Sequence, residues 1–496
     1  MDLIRRPSVA LFAVLIGTFH LFTIREGHAW GDDFSMYIHH AQNIAQGKPY
    51  AETGYIYNPL NPAVGPRVYP PGFPLLLAPV VKLFGLDLRP MKIVVVGFFV
   101  GSLLIAVQLF RKVLPTEYLA ALVLVMGLNP FFWEFKDHIL SDVPFLFFAL
   151  VSLQLFTQAY APNASEHRRV MLALLAGCAA YASYATRTLA VVLVPCFVAH
   201  DLIRHRRIGV NAALASSVLF GLVGAQHLFW IRDTSYLDQV VSPLTAAPHN
   251  VVSYLQSLSE LWENGYSSAV RKGAFLAGSA LAAFGYVRSL RTDAGVLHVF
   301  PWLYLVPVIL WPSFQGIRFL IPVVPFYFYY CLLGIRGLDA AVEERWGPKH
   351  FGLAAFLVAA LVSYASRYST LPFGPLSDGI AKQESVELFE FVKANTEPNA
   401  VFVFSRPRAL ALFTGRKASG AYSPADPCRL WRYLREIQAS YVITGPDPDS
   451  FNADALYLRR FVSQFRSDFR SVMTNRDLAV YRVERDPCAP GRPSAQ

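Results

Sequence analysis

A chain of 496 residues with 54% apolar residues, 14% aromatics, only 16% charged residues and a mean hydropathy of +0.36 is too apolar for a soluble enzyme of its length. It reads as an integral membrane protein. The formal charge of +10 does not describe a nucleic-acid footprint, because the basic residues fall between apolar runs rather than in one stripe with interleaved aromatics, so no nucleic-acid partner is expected.

The first apolar run covers residues 9–23 and follows Arg5 and Arg6. A secretory signal peptide has the same outline, but no A-x-A-like cleavage site precedes Trp30, so an uncleaved first span is expected. The next stretch, GDDFSMYIHHAQNIAQGKPY, sets Phe34, Tyr37, Ile38, Ala41, Ile44 and Ala45 at helical spacing, with Gly47 as a stop. That pattern predicts a short amphipathic helix lying along the membrane surface, with His39 and His40 on its solvated or interfacial face. Its leading acids, Asp32 and Asp33, allow two readings. One aspartate caps the helix and the second favours its dipole, or one carboxylate serves as a general base toward an acceptor hydroxyl where water is scarce.

Further runs cover residues 92–110, 118–133, 143–159, 170–185, 189–203, 210–231, 274–287, 296–311, 319–335 and 351–364. Together they make about eleven spans, several shorter than the roughly 20 residues an untilted helix needs. Charge supports the alternation. Basic residues gather at Arg5 and Arg6, at Arg111 and Lys112, at Arg168 and Arg169, at Arg204, Arg206 and Arg207, at Arg288 and Arg291, and at Arg336, Arg345 and Lys349. The positive-inside rule then puts the N-terminus in the cytoplasm. Residues 31–72, the loop 134–142, Arg187, the loop 232–272, the turn 313–318 and everything after residue 367 fall on the outer face. The sequon Asn163-Ala164-Ser165 falls on the cytoplasmic side and is discounted.

The outer face carries the unusual polar residues. Asp142, in FKDHILSDVPF, stands where a loop becomes a span just before Pro144, a place for an N-cap or for a functional acid; Asp137 and His138 read as ordinary loop residues. Arg187 and Arg318 sit at outer span edges, where a cation needs solvation, snorkelling or an anion. Two such arginines suggest a phosphate. For a metal, Asp32, Asp142 and His138 lead a set of oxygen and nitrogen donors that also includes Asp33 and Asp137; a bound divalent ion and a metal-free site both remain open. The aromatic FYFYY after Pro325 reads as packing or a membrane belt.

From about residue 370 the texture changes: SVELFEFVKAN, AVFVFS, CRLWRYLREI, SYVITG, ALYLRRFVSQF and LAVYRVE alternate helix and strand patterns. The expected organisation is a membrane part at residues 1–369 and a soluble extracytoplasmic α/β domain at 370–496. No catalytic constellation is visible in this tail, and no key residue is assigned to it. Acceptor choice is expected from it and from the loop 232–272. Cys178, Cys196 and Cys331 lie in spans as small apolar residues; Cys428 and Cys488 lie in the tail, and spacing alone does not say whether they pair.

These elements together resemble the polyprenyl-phosphate-sugar-dependent glycosyltransferases of the GT-C fold, the group that includes protein O-mannosyltransferases and the transferases that add aminoarabinose to lipid A. The resemblance rests on Asp32-Asp33 in the first outer loop, YPPGFPLLLAP after it, Ser141-Asp142 before a span, Arg187 in TRTLAVVLVP and RFLIPVVPF starting at Arg318. It implies a polytopic α-helical membrane protein of a bacterial inner membrane. The implied partners are a polyprenyl-phosphate-linked sugar donor, a lipid, glycan or protein acceptor, and membrane lipids. The implied reaction is hexosyl or pentosyl transfer to a hydroxyl with inversion. Asp32 matches the leading position of the family's acidic pair. Many relatives carry Asp-Glu there where this chain has Asp-Asp, which leaves open which aspartate is the base. The resemblance further implies that Asp142 orients the acceptor or binds a metal, and that Arg187 and Arg318 hold the donor phosphate. A lipid-linked glycan flippase is the alternative outside transferases, and it lacks support from any internal repeat. A glycan ligase or polymerase would share the donor.

Overall fold

The computed structural model describes residues 7–231, 243–346, 350–376, 378–445 and 453–489. Arg5, Arg6 and Lys349 of the predicted basic loops, and residues 232–242 of the predicted outer loop, lie outside these. The chain enters through α1 (Pro7–Phe22) and α2 (Asp33–Gln46), followed by the two-residue strand β1 (Tyr55–Ile56) and α3 (Gly72–Phe84). Then come α4 (Leu88–Phe110), α5 (Thr116–Gly127), the short α6 (Pro130–Phe135), α7 (Asp142–Ala159), α8 (Glu166–Thr186), α9 (Leu193–His205) and α10 (Val210–Phe229). After them follow α11 (Pro243–Ser259), α12 (Ser268–Asp293), α13 (Val296–Leu310), α14 (Val324–Trp346) and α15 (Phe351–Tyr368).

Every apolar run falls on one of these helices, because in a bilayer the span signal is continuous apolarity rather than periodicity. Seven described helices are long and apolar enough to cross a membrane: Leu88–Phe110, Asp142–Ala159, Glu166–Thr186, Thr188–His205, Val210–Phe229, Ser268–Asp293 and Phe351–Tyr368. The run at 118–133 is broken in two. Asn129 accepts from the Phe131 N–H at 3.0 Å and Pro130 occupies the first helical position, so α6 starts afresh after α5. Neither α3 nor α11 was expected as a helix.

The bundle is tightened by small residues, as it must be where lipid gives helices no hydrophobic reason to associate. A Cβ at Gly285 of α12 would stand 2.1 Å from the Tyr330 carbonyl, and one at Gly334 of α14 would stand 2.2 Å from that of Leu281. The two backbones are therefore in direct contact. Large apolar side chains such as Phe22, Leu83 and Phe229 point outward, as a lipid-facing girdle requires.

The remaining chain forms an α/β layer over one end of the bundle, the end that carries Arg25, Asp142, Arg187 and Arg318. Its elements are α16 (Gln383–Asn395), β2 (Val401–Val403), α17 (Pro407–Thr414), β3 (Lys417–Ser419), α18 (Pro427–Glu436), β4 (Tyr441–Thr444), α19 (Ala453–Gln464), β5 (Phe469–Thr474) and β6 (Ala479–Val483). The sheet order is β1-β3-β2-β4-β6-β5, parallel from β1 to β4 and antiparallel beyond. The edge strand β1 belongs to the first loop, with Tyr55 opposite Ala418 and Ile56 opposite Ser419. Asn58 donates to the Gly420 carbonyl at 2.9 Å beside it. The sheet thus joins the tail to the segment that follows the acidic pair. A disulfide joins Cys428 at the start of α18 to Cys488 near the end of the described chain, which answers the pairing question.

Packing from α3 and from this layer overturns the surface-helix reading of α2. Phe34, Ser35, Met36, Tyr37, Ile38, His40, Ala41 and Asn43 are all buried, because α3 and α17 cover the helix that the sequence left facing solvent. His40, expected on a wet face, is fully buried. The Tyr69 N–H donates to its Nε2 at 3.2 Å, which leaves Nδ1 to donate to the Tyr50 carbonyl at 2.8 Å. Burial, together with the neighbouring cations, lowers its pKa to about 3, so the imidazole is neutral.

Candidate functional site

Asp32 precedes α2 but does not cap it with its side chain. Its Oδ1 instead accepts from the N–H groups of Arg408 at 3.0 Å and Ala409 at 3.1 Å, so it caps α17 in the tail. Its Oδ2 stands 3.7 Å from Arg408 Nε. Burial pushes its pKa up, against the pull of Arg408 and the Ala409 N–H.

Asp33 faces the other way. Its Oδ1 accepts from the Tyr69 hydroxyl at 2.6 Å and from Arg408 Nη1 at 3.4 Å, and its Oδ2 accepts from Arg318 Nη2 at 2.9 Å. Burial works to raise its pKa, but Arg318 and Arg408 outweigh it and hold the carboxyl at about 2. Asp142 is the first residue of α7, where an N-cap role was one of two expectations. Ser141 occupies the cap position, and the Asp142 carboxylate leaves the helix end to pair with Arg187 through Oδ1. Its Oδ2 lies 3.6 Å from Arg318 Nη2 with no hydrogen bond among the described residues. The Tyr37 and Ser141 hydroxyls meet at 2.9 Å and tie α2 to this corner.

Asp33, Arg318, Asp142 and Arg187 therefore form a chain of alternating charge beside a cleft of about 100 Å³. Asp33, Tyr37, Tyr69, Arg187, Arg318 and Phe319 line it, with Ser313 and Gln315 adding polar groups; Asp32 and Asp142 do not. The Arg187 guanidinium lies 4.6 Å from the centre of the Phe319 ring, a cation–π contact at the cleft wall. Three carboxylates, Asp32, Asp33 and Asp142, face three arginines, Arg187, Arg318 and Arg408, so the centre is balanced in charge. It offers a proton acceptor and two anion-holding cations in one confined space.

Arg408 is the residue that sequence reasoning missed. It comes from the tail, to which no key residue was assigned, and its side chain is 1% exposed. Nη1 donates to the Tyr69 hydroxyl at 3.0 Å and Nη2 to the Val64 carbonyl at 3.0 Å, while the guanidinium lies 4.7 Å from the Tyr55 ring centre. One local signal was available: it is the sole charge in PRALALFT, an otherwise apolar helix.

Asp137 and His138 are not the ordinary loop residues expected. Asp137 is fully buried among three cations. Arg25 donates to it from its backbone N at 3.0 Å and from Nε at 2.7 Å, Lys136 Nζ donates at 2.8 Å, and Lys92 Nζ lies 3.8 Å away. His138 packs against Phe135 and edge-on to His28. The proposed metal donors are thus drawn to different partners: Asp32 to a helix end, Asp142 to Arg187 and His138 to aromatic packing. Among the described residues no three His, Cys, Asp or Glu side chains gather closely enough to hold an ion. As placed, these residues do not fit a divalent cation, because guanidinium groups already meet their carboxylates.

No family model matches the chain, and no curated protein matches it by sequence. Solved structures do. ArnT from Cupriavidus metallidurans bound to undecaprenyl phosphate is similar at a TM-score of 0.62 and 12% identity, over 96% of this chain and 97% of ArnT. The Archaeoglobus fulgidus oligosaccharyltransferase in complex with Zn and sulfate is similar at 0.62 and 13%, over 88% of this chain and 68% of that one. AglB from the same organism, in complex with an inhibitory peptide and a dolichol-phosphate, is similar at 0.60 and 12%, over 93% and 72%. At such identities the likeness is one of fold, and the chain has the polytopic membrane GT-C fold of these glycosyltransferases.

Proposed function

We propose that this GT-C-fold membrane protein is a glycosyltransferase that moves a hexosyl or pentosyl group from a polyprenyl-phosphate donor to an acceptor hydroxyl on the outer face of a bacterial inner membrane. The observation that carries this reading is the shared cleft: a carboxylate, Asp33, opens into the same space as the guanidinium groups of Arg187 and Arg318, at the end of an apolar helix bundle. The undecaprenyl phosphate bound to ArnT and the dolichol-phosphate bound to AglB support a lipid-phosphate donor class.

The chemistry follows from these positions. Arg187 and Arg318 hold the donor phosphate, and the lipid tail runs between helices. Asp33 takes the proton of the acceptor hydroxyl as its oxygen attacks the anomeric carbon. The bond from that carbon to the phosphate oxygen breaks, and polyprenyl phosphate departs with the electron pair as an anion already met by two cations. One displacement inverts the anomeric centre. Of the acidic pair, Asp33 is assigned as the base because it lines the cleft, whereas Asp32 is committed to the start of α17. Asp142 holds Arg187 in place and keeps Arg318 between two carboxylates.

The test is transfer of radiolabelled sugar by the purified full chain from a panel of polyprenyl-phosphate sugars to an envelope extract, with the product's anomeric configuration read by NMR. The expected result is one accepted donor and a product inverted relative to it. Retention of configuration would contradict single displacement, and passage of labelled lipid across vesicles without transfer would favour a flippase instead.

A further inference from the structure

We infer that Arg408, supplied by the C-terminal layer, is a positioning residue of the centre: it orients Asp33 and fixes the loop at residues 62–66 that walls the cleft. This inference rests on the reading of Asp33 as the base. A guanidinium with 1% exposure is costly to bury unless its donors are used, and here each use points at the site. Nη1 reaches the Tyr69 hydroxyl and Asp33; Nη2 reaches the Val64 carbonyl at 3.0 Å and that of Pro66 at 3.5 Å. The loop is shaped around it. Gly65 has φ +130°, and a Cβ there would lie 1.9 Å from Arg408 Nη2. Ala63, Val64, Gly65 and Pro66 are all cleft lining.

The backbone of the same residue is anchored independently. Asp32 accepts from the Arg408 and Ala409 N–H groups, so neighbouring aspartates grip one arginine from both ends. This gives the acidic pair two separate duties: Asp32 holds the tail in place, and the tail's arginine holds Asp33. It also explains why Asp33 meets two arginines. Arg318 lies in the open cleft and is the one a donor phosphate draws toward itself; Arg408 lies behind the wall and stays.

The groups facing Asp33 are Arg318 from the loop before α14, Arg408 from α17, Tyr69 from the loop before α3, Tyr37 from its own helix and the adjacent Asp32. Losing Arg408 removes one of two cations, so the Asp33 pKa rises and the base is lost at higher pH on the acid side.

The test compares full-length wild type, Arg408→Gln and Arg408→Lys. Infrared titration reads the Asp33 carboxyl band, identified by its absence in Asp33→Asn, and labelled-sugar transfer reads kcat and donor KM. In Arg408→Gln the Asp33 midpoint should rise by about one pH unit or more, and the acid limb of kcat should move with it. Donor KM should stay within about twofold while kcat falls roughly tenfold, because Arg187 and Arg318 are untouched. Arg408→Lys should keep the Asp33 midpoint near that of wild type while recovering only part of kcat, since a point charge cannot also hold the Val64 and Pro66 carbonyls. An unchanged Asp33 midpoint in folded Arg408→Gln overturns the inference. If that variant does not fold, a wild-type kcat in Arg408→Lys overturns it too. If wild type transfers no sugar, the function reading fails, and the infrared midpoint still decides the role of Arg408.

Discussion

Two charged clusters sit at the same end of this bundle, and they are built in opposite ways. Around Asp137, three cations, Arg25, Lys92 and Lys136, converge on one carboxylate with exposures of 6%, 1% and 1%. Lys92 Nζ also donates to the carbonyls of Arg25 at 2.7 Å and Gly27 at 2.6 Å, and Lys136 lies over the Trp133 ring. The cations hold the Asp137 carboxyl below its usual range although burial works the other way. Around Asp33 and Asp142, by contrast, charges alternate and balance, Asp33 is 27% exposed, and Asp142 Oδ2 lacks a hydrogen bond among the described residues. A closed cluster with its donors directed inward pins loops to helices. An open, balanced one with an unsatisfied oxygen can exchange partners, which is what a site needs.

The sharpest way to break this contrast is to neutralise the central acid of the closed cluster. Asp137→Asn leaves three buried cations uncompensated and should destabilise the protein by about 3–5 kcal/mol, read as a lower unfolding temperature in detergent. Turnover per folded molecule should hold near wild type. Next come the open cluster's cations. Arg187→Gln and Arg318→Gln should each weaken donor binding by about 1.5–3 kcal/mol, seen as a raised donor KM. Equal donor affinity in both variants would remove these arginines from phosphate binding.

Acidity sharpens the contrast further. The folded pKa of His40 is depressed from 6.5 to about 3, so the unfolded chain binds the proton first; its contribution is intact above pH 6.5 and is lost as pH falls toward 3. That gives a slope of about 1.4 kcal/mol per pH unit in this window, which His40→Gln should remove from the unfolding curve. The smallest expected effect is that of a chelator. EDTA should leave transfer unchanged, because on the proposed reading the arginines carry the leaving-group charge. A rate restored only by added divalent ion would contradict that assignment.

The apolar runs and charged span edges were legible because membrane helices declare themselves locally. For the same reason Asp142, Arg187 and Arg318 could be named from span edges, and Asp33 as one of an acidic pair at a helix start; the fold brings these four together. What was hidden was non-local. Arg408 lies more than 370 residues from the acid it meets, β1 is too short for a period of two to show, and part of the cover over α2 comes from α17 at the far end of the chain. The reading of an aspartate as the cap of its own helix fails, because Asp32 Oδ1 is taken by the first N–H groups of α17 instead. Asp137 looked like a loop charge because nothing local says that Arg25, Lys92 and Lys136 converge on it.

On the proposed reading, the adjacent aspartates Asp32 and Asp33 have different tasks. Turnover of Asp32→Asn and Asp33→Asn at saturating donor, in protein shown to be folded, tests it most directly. Asp33→Asn should lose about 10²- to 10⁴-fold in kcat while Asp32→Asn, whose carboxylate holds α17, should lose far less. Near-wild-type turnover in Asp33→Asn with collapse in Asp32→Asn would contradict it.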